Sequence, residues 1–399
     1  AAMAGGVAAP LIILGAYYYT WYGVGEQWQV FPRPWEPTLG EYRSADPLVM
    51  QKHHAWAKRA GVDFLAVSWG GDGTRAPNGH KDATVAGACT LQDSTGAHQR
   101  PVCSGGEPVR GAEYKVEGWS QPMQWWTPSG HVDQLIQSHL DVKDGVPLAL
   151  MYELRDVLGV GEGQGQVNLS FADNPKILEH HLMYAAEHLF NHPNYYRING
   201  APVLFLYTLR DYQNFVEPLS NIFAKVQKRL GKPLYIIGDM IWWEPAAQFF
   251  PWGEYRAINV SSVTAYNLYK DDDPETMGAS FAYHAAALYS KVAHEASAYG
   301  IQVIPYVSPG YDDRKMRGAA RPEIPRADGA QYLKAWQQMQ RLLRCQHGAG
   351  GEPAIAMLNS FNEWHEGTQA EPSVEFGDTF LDLTAAFKEG SMAEPSEYG

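Results

Sequence analysis

Two glutamates stand three residues apart in a polar segment near the C-terminal end of the chain. Glu363 and Glu366 lie within residues 360–369, which also hold an imidazole, two amides and an indole. A turn requires only Gly, Pro, Asn or Asp, so this density of reactive side chains indicates a site. A pair of carboxylates is suited to acid–base catalysis, in which one group donates a proton and the other accepts one. We refer to residues 360–369 as the acidic motif.

The acidic motif also has a simpler interpretation, in which both glutamates are solvated loop carboxylates or take part in capping. Their position just after the apolar run 354–358, beside Trp364 and His365, favours a site. A lone His365 is more often a structural hydrogen-bond partner than a catalyst, and one histidine makes no convincing metal-ligand set. We therefore predict chemistry that uses no metal and no cofactor.

Apolar runs that alternate with helical segments must position these carboxylates. Such alternation favours a parallel β/α architecture, and eight units favour a closed (β/α)8 barrel, the TIM-barrel fold. An open doubly wound sheet is the alternative, but no glycine-rich dinucleotide fingerprint follows the first strand. The predicted strands lie within residues 11–19, 63–69, 147–152, 202–207, 233–238, 257–266, 302–307 and 354–358.

The chain is longer than such a barrel needs. About 250 residues suffice for the fold, whereas this sequence has 399. We predict one catalytic domain over residues 11–390, with a long irregular insertion over 72–130, where Gly, Pro and Ser are frequent and no period is sustained. Cys89 and Cys103 lie in this insertion. We expect them to form a disulfide if the protein is exported, and two free thiols are the alternative.

Composition excludes some classes of partner. The net charge of −13 and the lack of a Lys/Arg cluster argue against a nucleic-acid partner. The sequence contains no run of 18 apolar residues, so no membrane span is expected. With 45% hydrophobic and 19% charged residues, the chain has the composition of a globular protein with a sizeable core. The oligomeric state stays open.

Aromatic residues recur where the predicted strands end. In a (β/α)8 barrel the active site lies at the C-terminal ends of the strands. A pocket that is lined by Tyr and Trp and holds a few carboxylates is suited to bind a sugar, because sugar rings stack on aromatic faces. One acid can then protonate the leaving oxygen of a glycosidic bond. This pattern predicts a carbohydrate as the binding partner.

Several segments resemble glycoside hydrolase family 99, the family of endo-α-1,2-mannosidases and endo-α-1,2-mannanases. The acidic motif resembles the most specific signature of that family, and residues 308–314 with Arg317 are similar to a second motif after strand seven. Further matches occur in family order at residues 16–23, 39–46 and 61–69. The resemblance runs from about residue 11 to residue 372.

This resemblance implies a (β/α)8 barrel, no catalytic metal, and retention of anomeric configuration through a 1,2-anhydro sugar that the substrate's own 2-hydroxyl forms. Carried over by position, Glu363 is the base that takes the 2-hydroxyl proton. Glu366 is the acid that protonates the departing oxygen and later the base that activates water, and such an acid needs a raised pKa. The candidates for substrate contacts are Tyr18, Trp21, Trp69, Tyr207, Tyr266, Tyr311, Trp364 and His365.

The expected function is endo-acting cleavage of α-mannosidic, α-1,2-mannan-like linkages by a secreted, periplasmic or cell-surface protein. Where the family suggests a second Trp after Ser68 and Trp69, this chain has Gly70, Gly71 and the long insertion. The same barrel acting on a different polysaccharide is therefore an alternative. A non-catalytic carbohydrate-binding or surface-structural protein is another, since fold does not fix function.

Overall fold

The computed structural model describes residues 12–23, 28, 32–71, 74–75, 89–93, 99–103, 113–114, 123–125, 132–158, 166–171, 173–240, 250–266, 268, 278, 280–347 and 354–389. Its main feature is a parallel sheet built from all eight predicted strands. These are β1 Ile12–Tyr18, β2 Phe64–Trp69, β3 Leu148–Tyr152, β4 Ala201–Leu206, β5 Tyr235–Asp239, β6 Val260–Thr264, β7 in two parts, Gln302–Ile304 and Tyr306–Val307, and β8 Ala354–Leu358.

The sheet closes through β7. Its first part pairs with β6 and its second part pairs with β8, while β8 also pairs with β1. Pro305 separates the two parts and has no N–H to donate to the ladder. Its carbonyl still accepts a hydrogen bond from Met357 N at 2.9 Å. Since both parts belong to one strand, the sheet forms the closed (β/α)8 barrel predicted from the sequence.

The interior of the barrel is filled by side chains, and Gly15 on β1 shows how tightly. A Cβ at this position would lie 2.3 Å from the Phe64 ring and 2.6 Å from the Met357 sulfur. Both of those side chains are buried. The absence of a side chain at Gly15 thus lets two large neighbours occupy the barrel axis.

Helices follow the strands in the predicted order. Helix α1 begins after Asp46, whose side chain accepts a hydrogen bond from Leu48 N at 2.9 Å, and Pro47 occupies its first turn. None of the helices in the described ranges combines the length and apolar character needed to cross a membrane. The helices are α1 Pro47–Arg59, α2 Val132–Leu140, α3 Leu154–Val157, α4 Asn174–His188, α5 Val216–Leu230, α6 Trp252–Ala257, α7 Phe281–Ser297, α8 Arg314–Arg317, α9 Ala330–His347 and α10 Thr379–Lys388.

The insertion after β2 contains strands, so the prediction of irregular chain is wrong for its described part. Thr74–Arg75, Cys89–Asp93, Gln99–Cys103, Glu113–Tyr114 and Met123–Trp125 form one five-stranded sheet. Cys89 lies opposite Cys103 in an antiparallel pair. Three of these strands have only two or three residues, too few for the alternation that reveals a strand in sequence. The other residues of 72–130 lie outside the described part of the chain.

Candidate active site

The acidic motif crosses the mouth of the barrel and is attached to the end of β1. The Asn362 side chain makes two hydrogen bonds with the backbone of Tyr19: its amide donates to the carbonyl at 2.8 Å and its oxygen accepts from the N–H at 2.8 Å. Phe361 N donates to Tyr17 O at 2.8 Å. Because backbone atoms of β1 hold both residues, the glutamates that follow have a defined position at the C-terminal end of the sheet.

Glu363 is buried, with 4% of its surface exposed. Its N–H donates to Ser360 Oγ at 2.7 Å, and its carboxylate accepts from His365 N at 3.1 Å. Burial raises the pKa of Glu363 well above its ordinary value, and the charge of Glu366 raises it further, against a lowering effect of the His365 N–H. A carboxyl with a raised pKa is a stronger base once it is ionised.

Glu366 is 8% exposed and has different partners. The Tyr266 hydroxyl donates to its Oε2 at 3.3 Å, and the Arg317 guanidinium lies 3.2 Å from its Oε1. Its backbone carbonyl accepts from Asp312 N at 2.8 Å. The carboxylate is thus held between a phenol and a cation. The resemblance implies a raised pKa at Glu366, and that expectation stays a prediction.

A hydrogen-bonded cluster beside Arg317 orients it toward Glu366. Tyr311 donates its hydroxyl to Asp313 at 2.5 Å, and Arg317 donates to Asp313 at 3.0 Å. Arg321 also bonds both Asp313 and the Tyr311 hydroxyl. Burial raises the pKa of Asp313, but hydrogen bonds from Arg321, Tyr311 and Arg317 outweigh it and hold the pKa below its ordinary value. Tyr311 was predicted to contact substrate, whereas its hydroxyl makes hydrogen bonds within this cluster.

Tyr266 connects a further tyrosine to Glu366. The Tyr19 hydroxyl donates to the Tyr266 hydroxyl at 2.5 Å, which in turn donates to Glu366. At the end of β5, the buried Asp239 accepts hydrogen bonds from Tyr266 N at 2.9 Å and Thr208 N at 3.0 Å, which joins three strand ends. Tyr19 was not among the predicted site residues. Adjacent residues of an extended chain point to opposite sides, so only one of Tyr18 and Tyr19 can face the glutamates.

Three of the predicted contact residues have no exposed surface. Tyr18, Trp69 and Trp364 are each 0% exposed. The Tyr18 hydroxyl bonds His53 at 2.8 Å, and the Trp364 indole N–H donates to Glu371 at 2.8 Å. A sugar therefore reaches none of these three directly in this structure, which corrects the prediction of substrate contacts for them.

The other predicted residues lie at the same end of the barrel. Trp21 is partly exposed and stacks on Tyr19 with ring centroids 4.4 Å apart. Tyr207, also partly exposed, meets the Tyr266 ring edge-on at 5.5 Å. His365 is buried and packs against Tyr22 at 5.5 Å. A sugar contact for Trp21 and Tyr207 stays a prediction.

A third carboxylate, to which the sequence analysis gave no role, lies at the end of β3. Glu153 is buried and accepts a hydrogen bond from the Ser68 hydroxyl. Its charge is close enough to contribute to the raised pKa of Glu363. Within the described ranges, no group of three or more His, Cys, Asp or Glu side chains is arranged to hold a metal ion. The position of Glu153 directly after a strand was the signal in the sequence that could have identified it as a site residue.

Residues 167–384 match the model of the protein family described as glycosyltransferase WbsX. No curated protein matches the sequence. The solved GH99 endo-alpha-mannosidase from Bacteroides thetaiotaomicron, in complex with bis-tris-propane, has a TM-score of 0.58 at 20% identity, over 95% of this chain and 96% of that one. A glycoside hydrolase-like protein has a TM-score of 0.65 at 18% identity, over 96% and 94%.

A mutant family 5 mannosidase from Rhizomucor miehei has a TM-score of 0.51 at 11% identity, over 96% of this chain and 94% of that one. All three likenesses extend over nearly the whole length of both chains. At such identities they establish the fold, and the fold implied by the family 99 resemblance is thereby confirmed.

Proposed function

The chain belongs to the family described as glycosyltransferase WbsX, and on that premise we propose that its site transfers a glycosyl group to water and acts as a glycoside hydrolase. The proposed enzyme is retaining and endo-acting, and it cleaves α-mannosidic linkages like those of α-1,2-mannan. The observation that carries this proposal is the buried pair Glu363 and Glu366 at the end of β8, with Arg317 and Tyr266 on Glu366. The resemblance of the acidic motif to family 99 supports the choice of sugar.

In the first step, Glu363 takes the proton of the 2-hydroxyl and the 2-oxygen bonds to the anomeric carbon. The bond to the leaving oxygen breaks as Glu366 donates its proton to that oxygen, which gives a 1,2-anhydro sugar. In an α-mannoside the axial 2-hydroxyl lies opposite the axial leaving group, so this backside attack is open. Glu366 then takes a proton from water, water opens the anhydro ring at the anomeric carbon, and Glu363 returns its proton to the 2-oxygen. Two inversions give net retention.

Catalysis requires one proton on the pair, and that proton must be on Glu366. In the free protein the raised pKa of Glu363 and the ion pair of Glu366 with Arg317 favour the opposite arrangement. A 2-hydroxyl that donates a hydrogen bond to Glu363 stabilises its ionised form. The proton then moves to the partner, since two close buried carboxylates disfavour double ionisation. Substrate binding thus sets the protonation of the pair.

The test is incubation with α-mannan and with α-1,2-linked manno-oligosaccharides, following products by mass and their early anomeric form by NMR. Glu363→Gln and Glu366→Gln should each lower kcat by about 100-fold or more, as expected for loss of a general acid or base. Glu217→Gln, an exposed glutamate on α5, is the control and should keep wild-type turnover. Wild-type-like turnover in either site variant would overturn the mechanism.

The family description favours a second candidate, transfer to a sugar acceptor. The group that activates water can equally activate an acceptor hydroxyl, which yields a longer glycan. Added acceptor oligosaccharide should then divert product from hydrolysis to elongation. A nucleotide-sugar donor suits the site less, because its diphosphate would approach the acidic side chains Glu363, Glu366 and Glu153.

Tests with other polysaccharides distinguish the two alternative functions that the sequence analysis raised. Oligosaccharide release from another polysaccharide, with none from α-mannan, would favour the same barrel on a different glycan. Binding of glycan without cleavage over long incubation would favour a non-catalytic protein. We also propose a secreted, periplasmic or cell-surface location, because a polymeric substrate lies outside the cell. Fractionation of cells with an antibody to the protein tests this location.

A further inference from the structure

Three buried histidines and one tyrosine connect the helices beside β1 to the acidic motif. His53 and His54 lie on α1, His139 on α2, and Tyr18 at the end of β1. All four side chains are buried. None of them takes part in the proposed chemistry, and a buried imidazole costs free energy unless its nitrogens have partners.

The hydrogen bonds among these side chains have a single direction. Val146 N can only donate, so His54 Nδ1, at 2.9 Å, accepts, and the proton of the neutral ring lies on Nε2. His54 Nε2 then donates to His139 Nδ1 at 3.0 Å. The proton of His139 therefore lies on Nε2. This nitrogen is 3.5 Å from the Tyr18 hydroxyl, which is the longest of these contacts.

The same direction continues toward the acidic motif. With its oxygen accepting from His139, Tyr18 donates its proton to His53 Nδ1 at 2.8 Å. His53 therefore carries its proton on Nε2, which donates to Glu371 Oε1 at 3.1 Å. We call this series from Val146 N to Glu371 the histidine relay. Burial lowers the pKa of His54 to about 4 and that of His139 well below its ordinary value, which agrees with neutral rings.

At its end the histidine relay reaches Trp364. The second oxygen of Glu371 accepts from the Trp364 indole N–H at 2.8 Å and from the Tyr42 hydroxyl at 2.8 Å. Glu371 N donates to Phe361 O at 2.8 Å, so the acceptor is itself attached to the acidic motif. Trp364 N donates to the Tyr22 hydroxyl at 3.0 Å. Trp364, which directly follows Glu363, is thus held at both its backbone and its ring.

We propose that the histidine relay positions Trp364, and through it the relative placement of Glu363 and Glu366. Its members are positioning residues, because none of them touches the reacting groups. A turn or shift of the Trp364 ring would move the backbone from which both neighbouring carboxylates project. Misplacement by about 1 Å at a reacting centre can cost about 100-fold in rate. The activity part of this inference rests on the proposed function, and its structural part does not.

The decisive variant is Tyr18→Phe, which removes the hydroxyl at the centre of the histidine relay and keeps the ring. Its matched control is Tyr195→Phe. Tyr195 is equally buried, and its hydroxyl also makes two hydrogen bonds, from Leu150 N at 3.0 Å and to Val203 O at 2.6 Å. Both variants should lose a similar amount of thermal stability. Only Tyr18→Phe should lower kcat, by about tenfold or more, with KM within about twofold.

A second readout needs no substrate. Hydrogen exchange of the Trp364 indole N–H, assigned by its disappearance in Trp364→Phe, should be slow in the wild type and in Tyr195→Phe, and at least about tenfold faster in Tyr18→Phe. Nitrogen-15 NMR of the wild-type protein should show His53, His54 and His139 as neutral rings protonated at Nε2. This measurement remains informative if Tyr18→Phe does not fold.

The outcomes separate the two proposals. Equal kcat in Tyr18→Phe and Tyr195→Phe, or a proton on Nδ1 of any of the three histidines, would overturn the positioning role. Unchanged exchange at Trp364 in Tyr18→Phe would also overturn it. If no glycan is cleaved by the wild type while the exchange and tautomer results hold, the proposed function fails and the histidine relay stands.

Discussion

The Arg317 guanidinium lies 3.2 Å from one oxygen of the Glu366 carboxylate, and the Tyr266 hydroxyl donates to the other oxygen. This pair makes the two site glutamates unequal, because the ion pair is formed with Glu366 while Glu363 is held by a backbone N–H. The same cation lowers the pKa of Glu363, against the larger raising effects of burial and of Glu366. Arg317 therefore influences both members of the pair.

Replacing Arg317 should move the acid limb of the pH–rate profile. In Arg317→Gln the pKa of Glu363 loses a lowering influence and rises further, so the base becomes ionised only at higher pH. We expect the acid limb of kcat/KM to shift upward in pH. Arg229→Gln, at an exposed arginine on α5 that pairs with Glu187, is the control and should leave the profile in place. A profile unchanged in Arg317→Gln would contradict the electrostatic link.

Removal of the Tyr266 hydroxyl should lower kcat more than it changes KM. Tyr266→Phe deletes the hydrogen bond to Glu366 and leaves the buried Tyr19 hydroxyl without its acceptor. We expect about a tenfold or larger fall in kcat, since the carboxylate loses its orientation. Tyr289→Phe removes a buried hydroxyl that accepts from Tyr306 N at 3.0 Å and should leave kcat unchanged. Equal kcat values in the two variants would argue against a role for Tyr266.

Stability should fall in mild acid because of the histidine relay. The folded pKa of His54, about 4, lies below the value of about 6.5 expected in the unfolded chain. The unfolded state therefore takes up protons first, so this contribution is fully present above about pH 6.5 and is lost as the pH falls toward about 4. The urea midpoint should decrease over this window. In His54→Gln the decrease should be smaller, and an identical slope would refute the assignment.

Arg326 should be hard to replace even by another cation. It donates to Gly367 O at 2.9 Å and to Gln369 O at 2.7 Å, and its guanidinium lies 4.4 Å from the Trp35 ring. Burial lowers its pKa to about 9. Arg326→Lys loses the planar guanidinium that lies over the Trp35 ring and should cost about 2–4 kcal/mol in the free energy of unfolding.

The measurement for Arg326→Lys is unfolding in urea together with kcat, because the two carbonyls belong to the acidic motif. Arg59→Lys is the matched control. Arg59 pairs with Asp378 and Asp382 but is 45% exposed, so this substitution should change the free energy of unfolding by less than about 1 kcal/mol. Equal losses of stability in the two variants would contradict a special role for the Arg326 guanidinium at the acidic motif.

Thiol counting tests the predicted disulfide in the insertion. Cys89 and Cys103 are directly opposed in an antiparallel pair, where Cβ atoms lie about 4.5–5.5 Å apart, near the distance a disulfide spans. The exposed Cys345 should then be the only thiol in denatured, unreduced protein, and reduction should release three in total. Three thiols before reduction, in protein isolated from an oxidising compartment, would contradict the pairing.

The barrel and the position of the acidic motif at a strand end were predictable from local information. Apolar runs such as 354–358 and the alternation of strands with helices are properties of short segments, and parallel strands bring their C-terminal ends together. The acidic motif follows one of these runs directly. Short strands such as Thr74–Arg75 have too few residues for a period, so the sheet of the insertion was not predictable from sequence.

By itself, the sequence determined the (β/α)8 architecture, the placement of Glu363 and Glu366 at a strand end, and the resemblance from which their roles are proposed. Only the tertiary structure decided which side each aromatic ring faces. In the folded protein the Tyr19 side chain faces Tyr266 and Glu366, whereas the Tyr18 side chain is buried among histidines from two helices. The tertiary structure also showed that burial and the charge of Glu366 raise the pKa of Glu363. The reason is physical: burial, hydrogen-bond partners and neighbouring charges come from residues distant in the chain, and spacing along the sequence carries no information about those distances.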